Sequence, residues 1–227
     1  MSTLYLVATP IGNLKDFSER AVEVLKSASY IACEDTRTSE VLLDKWGIAT
    51  PTFAFHQHNE YQKVDHLMNI LNAHQDVALI SDAGMPGISD PGFLAVRATH
   101  QAGHTVSVIP GPDAATTALV ASGLPCDKYV FEGFLPQKKG RQKRLKQLVE
   151  EERSVILYES PYRLQKLLSE LREYAGDQRM VAVCRELTKK FEEIVRGRLK
   201  TVLDTFELRD KIKGEIVVIM APKSYSE

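Results

Sequence analysis

Val77-Ala78-Leu79-Ile80-Ser81-Asp82-Ala83-Gly84-Met85-Pro86-Gly87-Ile88-Ser89-Asp90-Pro91-Gly92 opens with four apolar residues. It then enters a connection holding three glycines and two prolines, ahead of a helix-patterned segment from Phe93 to Ala102. Neither a strand nor a helix continues through such a connection. Strand, glycine-rich loop and helix in that order is how α/β folds bring backbone N–H groups and small side chains against a ligand at the carboxyl end of a sheet. The alternative is a long surface crossover, although structureless loops of this length in compact domains tend to be functional.

The same alternation extends outward. Apolar or β-branched runs at Thr3 to Ala8, Tyr30 to Cys33, Thr52 to Phe55 and Thr105 to Ile109 are separated by helix-period segments at Phe17 to Ala28, Ser39 to Trp46 and Tyr61 to Ala73. Strands spaced by helices imply right-handed crossovers and a mostly parallel sheet covered on both faces. After Pro110-Gly111-Pro112 comes a small-residue helix, Ala114 to Ser122, closed by Gly123 and Pro125. Beyond it the pattern changes. Strands are expected at Val130 to Phe134, Val155 to Tyr158, Met180 to Cys184, Glu193 to Gly197 and Glu215 to Met220. Helices are expected from Gly140, over Tyr162 to Tyr174 and over Thr201 to Leu208, with some antiparallel pairing. The fold class is therefore α/β in two domains, residues 1–116 with a mostly parallel sheet and residues 117–227 with a mixed one.

A formal net charge of -1 excludes a globally basic nucleic-acid binder, so any such contact must come from a local patch. Cys33, Cys126 and Cys184 are far apart and lie in no C-x-x-C or Cys/His cluster, which reads as buried thiols in a reducing cytosol. No apolar run approaches about 18 residues and the first residues carry no secretory pattern. A soluble, cytoplasmic protein is expected.

Four further segments carry chemistry. Thr9-Pro10-Ile11-Gly12-Asn13-Leu14 follows the first strand but matches neither G-x-G-x-x-G nor the P-loop pattern, which argues against a dinucleotide or a nucleoside triphosphate. Cys33-Glu34-Asp35-Thr36-Arg37 places three ionisable groups at the end of a buried strand, where they must be paired or used. A structural ion pair to Arg37 is the alternative. His56-Gln57-His58-Asn59-Glu60 adds two imidazoles at the same sheet edge, without an H-E-x-x-H pattern, so no metal is expected. Asp113 is a candidate N-cap for a helix whose small residues leave room for a ligand, close helix packing being the other explanation.

Together with Ser81 to Gly92, Pro110-Gly111-Pro112 and Tyr158-Glu159-Ser160-Pro161, these segments resemble the tetrapyrrole methylase superfamily, the class III methyltransferases. The resemblance is closest to its bacterial small-subunit ribosomal RNA cytidine-2'-O-methyltransferases. Phe131-Glu132-Gly133-Phe134-Leu135-Pro136 and Arg185-Glu186-Leu187-Thr188-Lys189 support it. Members acting on porphyrin-like substrates carry a Gly-Gly-Asp-Pro type sequence where this chain has Ser81-Asp82-Ala83-Gly84, which favours the RNA branch. Some RNA-branch members extend past the last strand, so an appended RNA-gripping element is expected to be missing here.

The resemblance implies a homodimer, with S-adenosylmethionine in a cleft between the two domains. Residues 1–116 would form the substrate side and residues 117–227 would complete the cofactor site. Carried over by position, the cofactor contacts are Pro10, Asp82, Ala83, Gly84, Met85, Ile88, Ala114 and Ala115, then Glu159, Leu187, Gly214 and Glu215. The expected partner is ribosomal RNA within an assembled small subunit.

One local feature agrees independently with RNA. Lys138, Lys139, Arg141, Lys143, Arg144 and Lys146 crowd into nine residues with no acid among them, a patch able to neutralise several phosphates. A solvated helix face offset by Glu150-Glu151-Glu152 is the alternative. Phe134, Tyr158 and Tyr162 are candidates for stacking on an unpaired base. Methyl transfer from a sulfonium is an in-line displacement, so alignment matters most, and the 2'-hydroxyl needs its proton drawn off. Glu34 or Asp35 is expected near that hydroxyl, Arg37 and Asn13 orienting substrate and His56 as second candidate base. Asp90 is expected to brace the loop by accepting from its N–H groups. The competing functions are a small-molecule methylase acting on a tetrapyrrole precursor, a metal-dependent hydrolase using Asp82, Asp90, His56 and His58, and a non-catalytic RNA-binding module.

Overall fold

A computed structural model describes residues 1–57 and 59–227. The chain divides into two units, Met1–Asp113 and Ala114–Glu227; the sequence reading set the division three residues later.

In the first unit, β1 (Thr3–Val7), β2 (Tyr30–Cys33), β3 (Thr52–Ala54), β4 (Val77–Ile80) and β5 (Thr105–Ile109) form a sheet in the order β3-β2-β4-β1-β5. Every neighbouring pair is parallel. Because side chains alternate across a strand, each central strand serves two cores. Ile31, Cys33, Ala78 and Ile80 pack with Ala21 and Leu25 of α1 (Glu19–Ser27) and Leu42 and Leu43 of α2 (Thr36–Lys45). Ala32, Val77 and Leu79 pack instead with Leu67, Ile70 and Leu71 of α3 (Glu60–Asn72) and Ala95 of α4 (Phe93–Gln101). That two-sided cover explains why β4 reads as an unbroken apolar run. The connection leaving β2 runs one way, to β3, and the one leaving β4 runs the other, past β1 to β5. The crevice between the carboxyl ends of β2 and β4 is thus a topological switch point, where open α/β sheets bind ligands.

In the second unit, α5 (Ala114–Ala121) precedes β6 (Tyr129–Phe134), α6 (Arg141–Leu148), β7 (Ser154–Glu159), α7 (Leu164–Ala175), β8 (Met180–Arg185), β9 (Glu193–Arg198), α8 (Leu199–Glu207) and β10 (Ile216–Met220). The sheet order is β6-β7-β10-β8-β9; β6 and β7 are parallel and the other pairs antiparallel. Leu145, Leu148, Leu164, Leu167, Leu168, Leu171, Leu199, Leu203 and Phe206 of α6, α7 and α8 cover one face. Helix α5 packs on β10 and β7, where the Cys184 thiol approaches Ala118 O at 3.7 Å. Its alanines are there to let a helix lie close: Ala115 and Ala118 are buried.

Two expectations need correction. Helix α2 begins at Thr36 rather than Ser39, because Asp35 caps it by accepting from Arg37 N. Cys126 is exposed, whereas burial pushes the Cys33 and Cys184 thiols up to about 11 and about 12, which makes those two inert. Among the described residues no helix is long and apolar enough to cross a membrane.

Candidate functional site

The loops that follow β1 and β4 are clasped together at the switch point. Thr9 N donates to Gly84 O (2.9 Å), Gly84 N donates back to Thr9 O (3.0 Å), and the Thr9 hydroxyl donates to Ser81 O (3.2 Å). Pro10 is buried in this clasp, while Ala83 and Ile88 stay exposed. Gly84 needs its glycine: φ is +80°, and a Cβ would meet Ile11 Cγ2 at 3.4 Å. Further along, Gly87 N donates to Pro91 O (3.1 Å). The start of α4 is capped from outside the loop, by Glu60 Oε1 accepting from Gly92 N (3.0 Å) and Leu94 N (3.2 Å). Ser89 sits at φ +65°, an uncommon conformation for a residue with a Cβ, and it presents Asp90.

Asp90 does not brace loop N–H groups as expected. Its carboxyl lies half-buried within hydrogen-bond reach of the Ser81 hydroxyl; burial first, then the charge of Glu34, push it up to about 7. Glu34, also half-buried, is raised by burial and by Asp82, with the neighbouring His56 acting in the opposite direction. Asp82 Oδ1 accepts from Asp35 N at 3.1 Å, which ties the β2 and β4 loops together. Glu34, Asp82 and Asp90 thus share one crevice, and no Lys or Arg among the described residues pairs with any of them.

Asp35 is a different case. It accepts from Arg37 Nε (3.1 Å) and through its other oxygen from an Arg37 terminal nitrogen (2.7 Å), and these bonds hold it down to about 2. A carboxylate that acidic and already paired is a poor proton acceptor, so Asp35 is withdrawn as a candidate base. Arg37 is exposed on that pair. Asn13 is exposed too, its side chain accepting from Lys15 N at 3.1 Å. His56 N donates to Asn59 Oδ1 (2.8 Å). His58 lies outside the described residues, among which no group of three or more His, Cys, Asp or Glu side chains is placed to hold a metal.

In the second unit, Ile216 pairs with Glu159 on one side and Arg185 on the other, so the residues just beyond it gather at one end of the sheet. Glu186 N donates to Glu215 O (2.9 Å) and Glu215 N donates to Glu186 Oε1 (3.1 Å), which sets Leu187 beside the Gly214-Glu215 turn. Lys189 Nζ bridges Glu186 and Glu215 at 2.9 and 3.0 Å. The loop is strained: Glu186 and Thr188 have φ of +53° and +65°, and a Cβ on Gly214 would fall 2.4 Å from Glu186 Cγ. The Glu159 carboxylate is buried between Arg141 and Arg163 and accepts from Ser160 N, leaving only its main chain for a ligand. Ala114 and Ala115 open α5, Ala114 half-buried and Ala115 buried.

The basic run divides by environment. Arg141 is 3% exposed and ion-paired to Glu159 and Glu170, so it is a core residue rather than an RNA contact. Arg144 is held by both oxygens of Glu132, and Lys146 lies over the Tyr174 ring. Lys138, Lys139 and Lys143 face solvent. Phe134 and Tyr162 are exposed, at 57% and 89%, and Tyr158 meets Phe131 and Phe134 edge-on at 5.2 and 5.5 Å. Glu60 as a cap and Ser89 as a strained residue escaped sequence reading, since nothing local marks either one.

Residues 3–203 match the family of Tetrapyrrole (Corrin/Porphyrin) Methylases. A Mesorhizobium japonicum protein named Ribosomal RNA small subunit methyltransferase I is 49% identical over 96% of this chain and 75% of its own length. A Thermotoga maritima protein of the same name is 41% identical over 98% of this chain and 100% of its own. The crystal structure of the methyltransferase CobJ superposes with a TM-score of 0.71 at 18% identity, over 98% of this chain and 95% of that one, a likeness of fold.

Proposed function

This chain belongs to the tetrapyrrole (corrin/porphyrin) methylase family, and on that footing we propose that it methylates small-subunit ribosomal RNA, using S-adenosylmethionine, at the 2'-hydroxyl of a cytidine. The observation that carries the reading is the carboxyl crevice at the switch point, where Asp90 is held near 7 beside Glu34. The bound cofactor supplies a methyl group on a sulfonium. A cationic ligand fits a crevice whose three carboxylates pair with no Lys or Arg among the described residues, and the exposed Ala83 and Ile88 suit its apolar parts.

A ribose hydroxyl is a weak nucleophile until its proton is removed, and the best acceptor titrates near the working pH. Asp90 meets that requirement and takes the role assigned above to Glu34 or Asp35. Glu34 keeps Asp90 basic through its charge, and His56 neighbours that pair. Arg37 and Asn13 orient the RNA, and Lys138, Lys139 and Lys143 hold phosphates without reading sequence. The first unit supplies the acceptor side. Within the second unit, the residues that contact the cofactor are Ala114, Ala115, the Glu159 main chain, Leu187, Gly214 and Glu215. The enzyme works in the cytoplasm as a homodimer on an assembled small subunit.

The test is incubation with methyl-labelled S-adenosylmethionine and small subunits from cells lacking the modification, followed by digestion of the RNA to nucleosides. Labelled 2'-O-methylcytidine is expected, and the Asp90→Asn variant should not form it. Label on a base, or label in a tetrapyrrole precursor and none in RNA, would overturn the proposal.

A further inference from the structure

At the opposite end of the second sheet from the Leu187 loop, Met180 pairs with Arg198 and Ala221 N donates to Met180 O at 3.0 Å. A cavity of about 450 Å³ opens there, lined by Arg179, Arg198, Lys223, Tyr174, Tyr225 and Glu150 among others. Arg179 is only 7% exposed. One terminal nitrogen donates to Val149 O at 2.8 Å, but Nε is buried without a hydrogen-bond partner. The nearby carboxylates hydrogen-bond elsewhere, Glu150 to Lys223, Glu152 to the Ser224 hydroxyl, and Glu227 to Arg196 and Tyr225, so Glu152 and Glu150 act on Arg179 through charge alone. Among the described residues no ion pair forms with Arg179 or Arg198. Arg198 precedes α8 without using its side chain as a cap.

Removing a guanidinium from water is costly unless a counter-charge and hydrogen bonds replace the solvent. Here the described residues meet that cost only in part, with one hydrogen bond to Val149 O and the charges of Glu152 and Glu150 acting without an ion pair, while a cavity of small-ligand size lies alongside with a second arginine that forms no ion pair on its wall. The planar fork of arginine matches phosphate oxygens two at a time. We infer that this cavity binds a phosphate group, monoester or diester, with Arg179 and Arg198 as its counter-charge and Tyr174 and Tyr225 beside whatever the phosphate carries.

Inorganic phosphate titrated into the 227-residue protein, in chloride buffer of fixed ionic strength and followed by calorimetry, tests this. One saturable site is expected. Arg198→Gln, a surface change, should weaken it about tenfold or more. Arg179→Met should abolish it. A second arm measures RNA affinity against salt. If Arg198→Gln lowers the slope by about one, the phosphate belongs to an RNA backbone; an unchanged slope identifies a small phosphate ester. Absence of saturable phosphate binding by wild type, or binding undiminished in Arg198→Gln, would overturn the inference.

Discussion

Replacing Asp90 with asparagine removes one negative charge from the carboxyl crevice and leaves a group that still reaches the Ser81 hydroxyl. In the folded protein this carboxyl is carried from 3.8 to about 7, chiefly by burial and then by Glu34. Such a rise corresponds to about 4 kcal/mol at most. Solvent access to a half-buried group reduces this to about 2 kcal/mol. The sign follows from proton counting. Between about pH 4 and about pH 7 the folded protein holds a proton that the unfolded chain has released, so stability from this group falls as pH rises through that window and levels off above it. Asp90→Asn, which cannot ionise, should therefore be the more stable protein by about 2 kcal/mol above pH 7, a melting shift of roughly 4–8 °C. The gap should close as pH falls toward about 4. Methyl transfer should fail in the opposite direction: wild-type kcat rises with pH to a plateau above about 7, and the variant loses ~100- to 10,000-fold. Urea and thermal unfolding across that pH range, run beside single-turnover methylation, give both readouts. A stability gap that does not vary with pH would refute the electrostatic reasoning, and an active Asp90→Asn would refute the base.

Asp35→Ala, by contrast, should leave the pH dependence of kcat unmoved, because its carboxylate is already paired with Arg37 and held down to about 2; a displaced pH–rate profile would restore it as a base. Arg141→Ala strips one partner from the buried Glu159 and should cost about 3–5 kcal/mol in denaturant unfolding. Lys138→Ala and Lys139→Ala should change stability by less than about 0.5 kcal/mol and instead lower the salt slope of RNA binding by about one each. Gly214→Ala forces a side chain into a left-handed position against Glu186. It should cost about 2 kcal/mol or more and weaken S-adenosylmethionine affinity measured by calorimetry, since Glu186 could no longer hold Glu215 N.

Much of the fold could be read from local pattern. The unbroken apolar run of β4 marked a strand covered on both faces, and the Pro110-Gly111-Pro112 punctuation lies just ahead of the Asp113/Ala114 division. The strand at Glu193 to Gly197 and some antiparallel pairing in the second unit were also legible, and β9 pairs antiparallel with β8. The site was legible as a set of loops but not as a set of roles. Arg141 and Lys143 look alike in sequence, yet one is a core ion and the other a surface cation, because only residues on the inner stripe of α6 meet Glu159 and Glu170.

Sequence by itself determined what depends on neighbours a few residues apart: strand or helix periodicity, glycine and proline at the loops, and the family. Tertiary structure decided what depends on charges and surfaces brought together across the chain. Asp90 and Glu34 are 56 positions apart, and the Asp90 carboxyl is pushed up to about 7 only because strand order places β4 beside β2 and both carboxyls are then partly buried. The Arg179 cavity has the same origin, since a guanidinium nitrogen is left buried without a hydrogen-bond partner only by what packs around it.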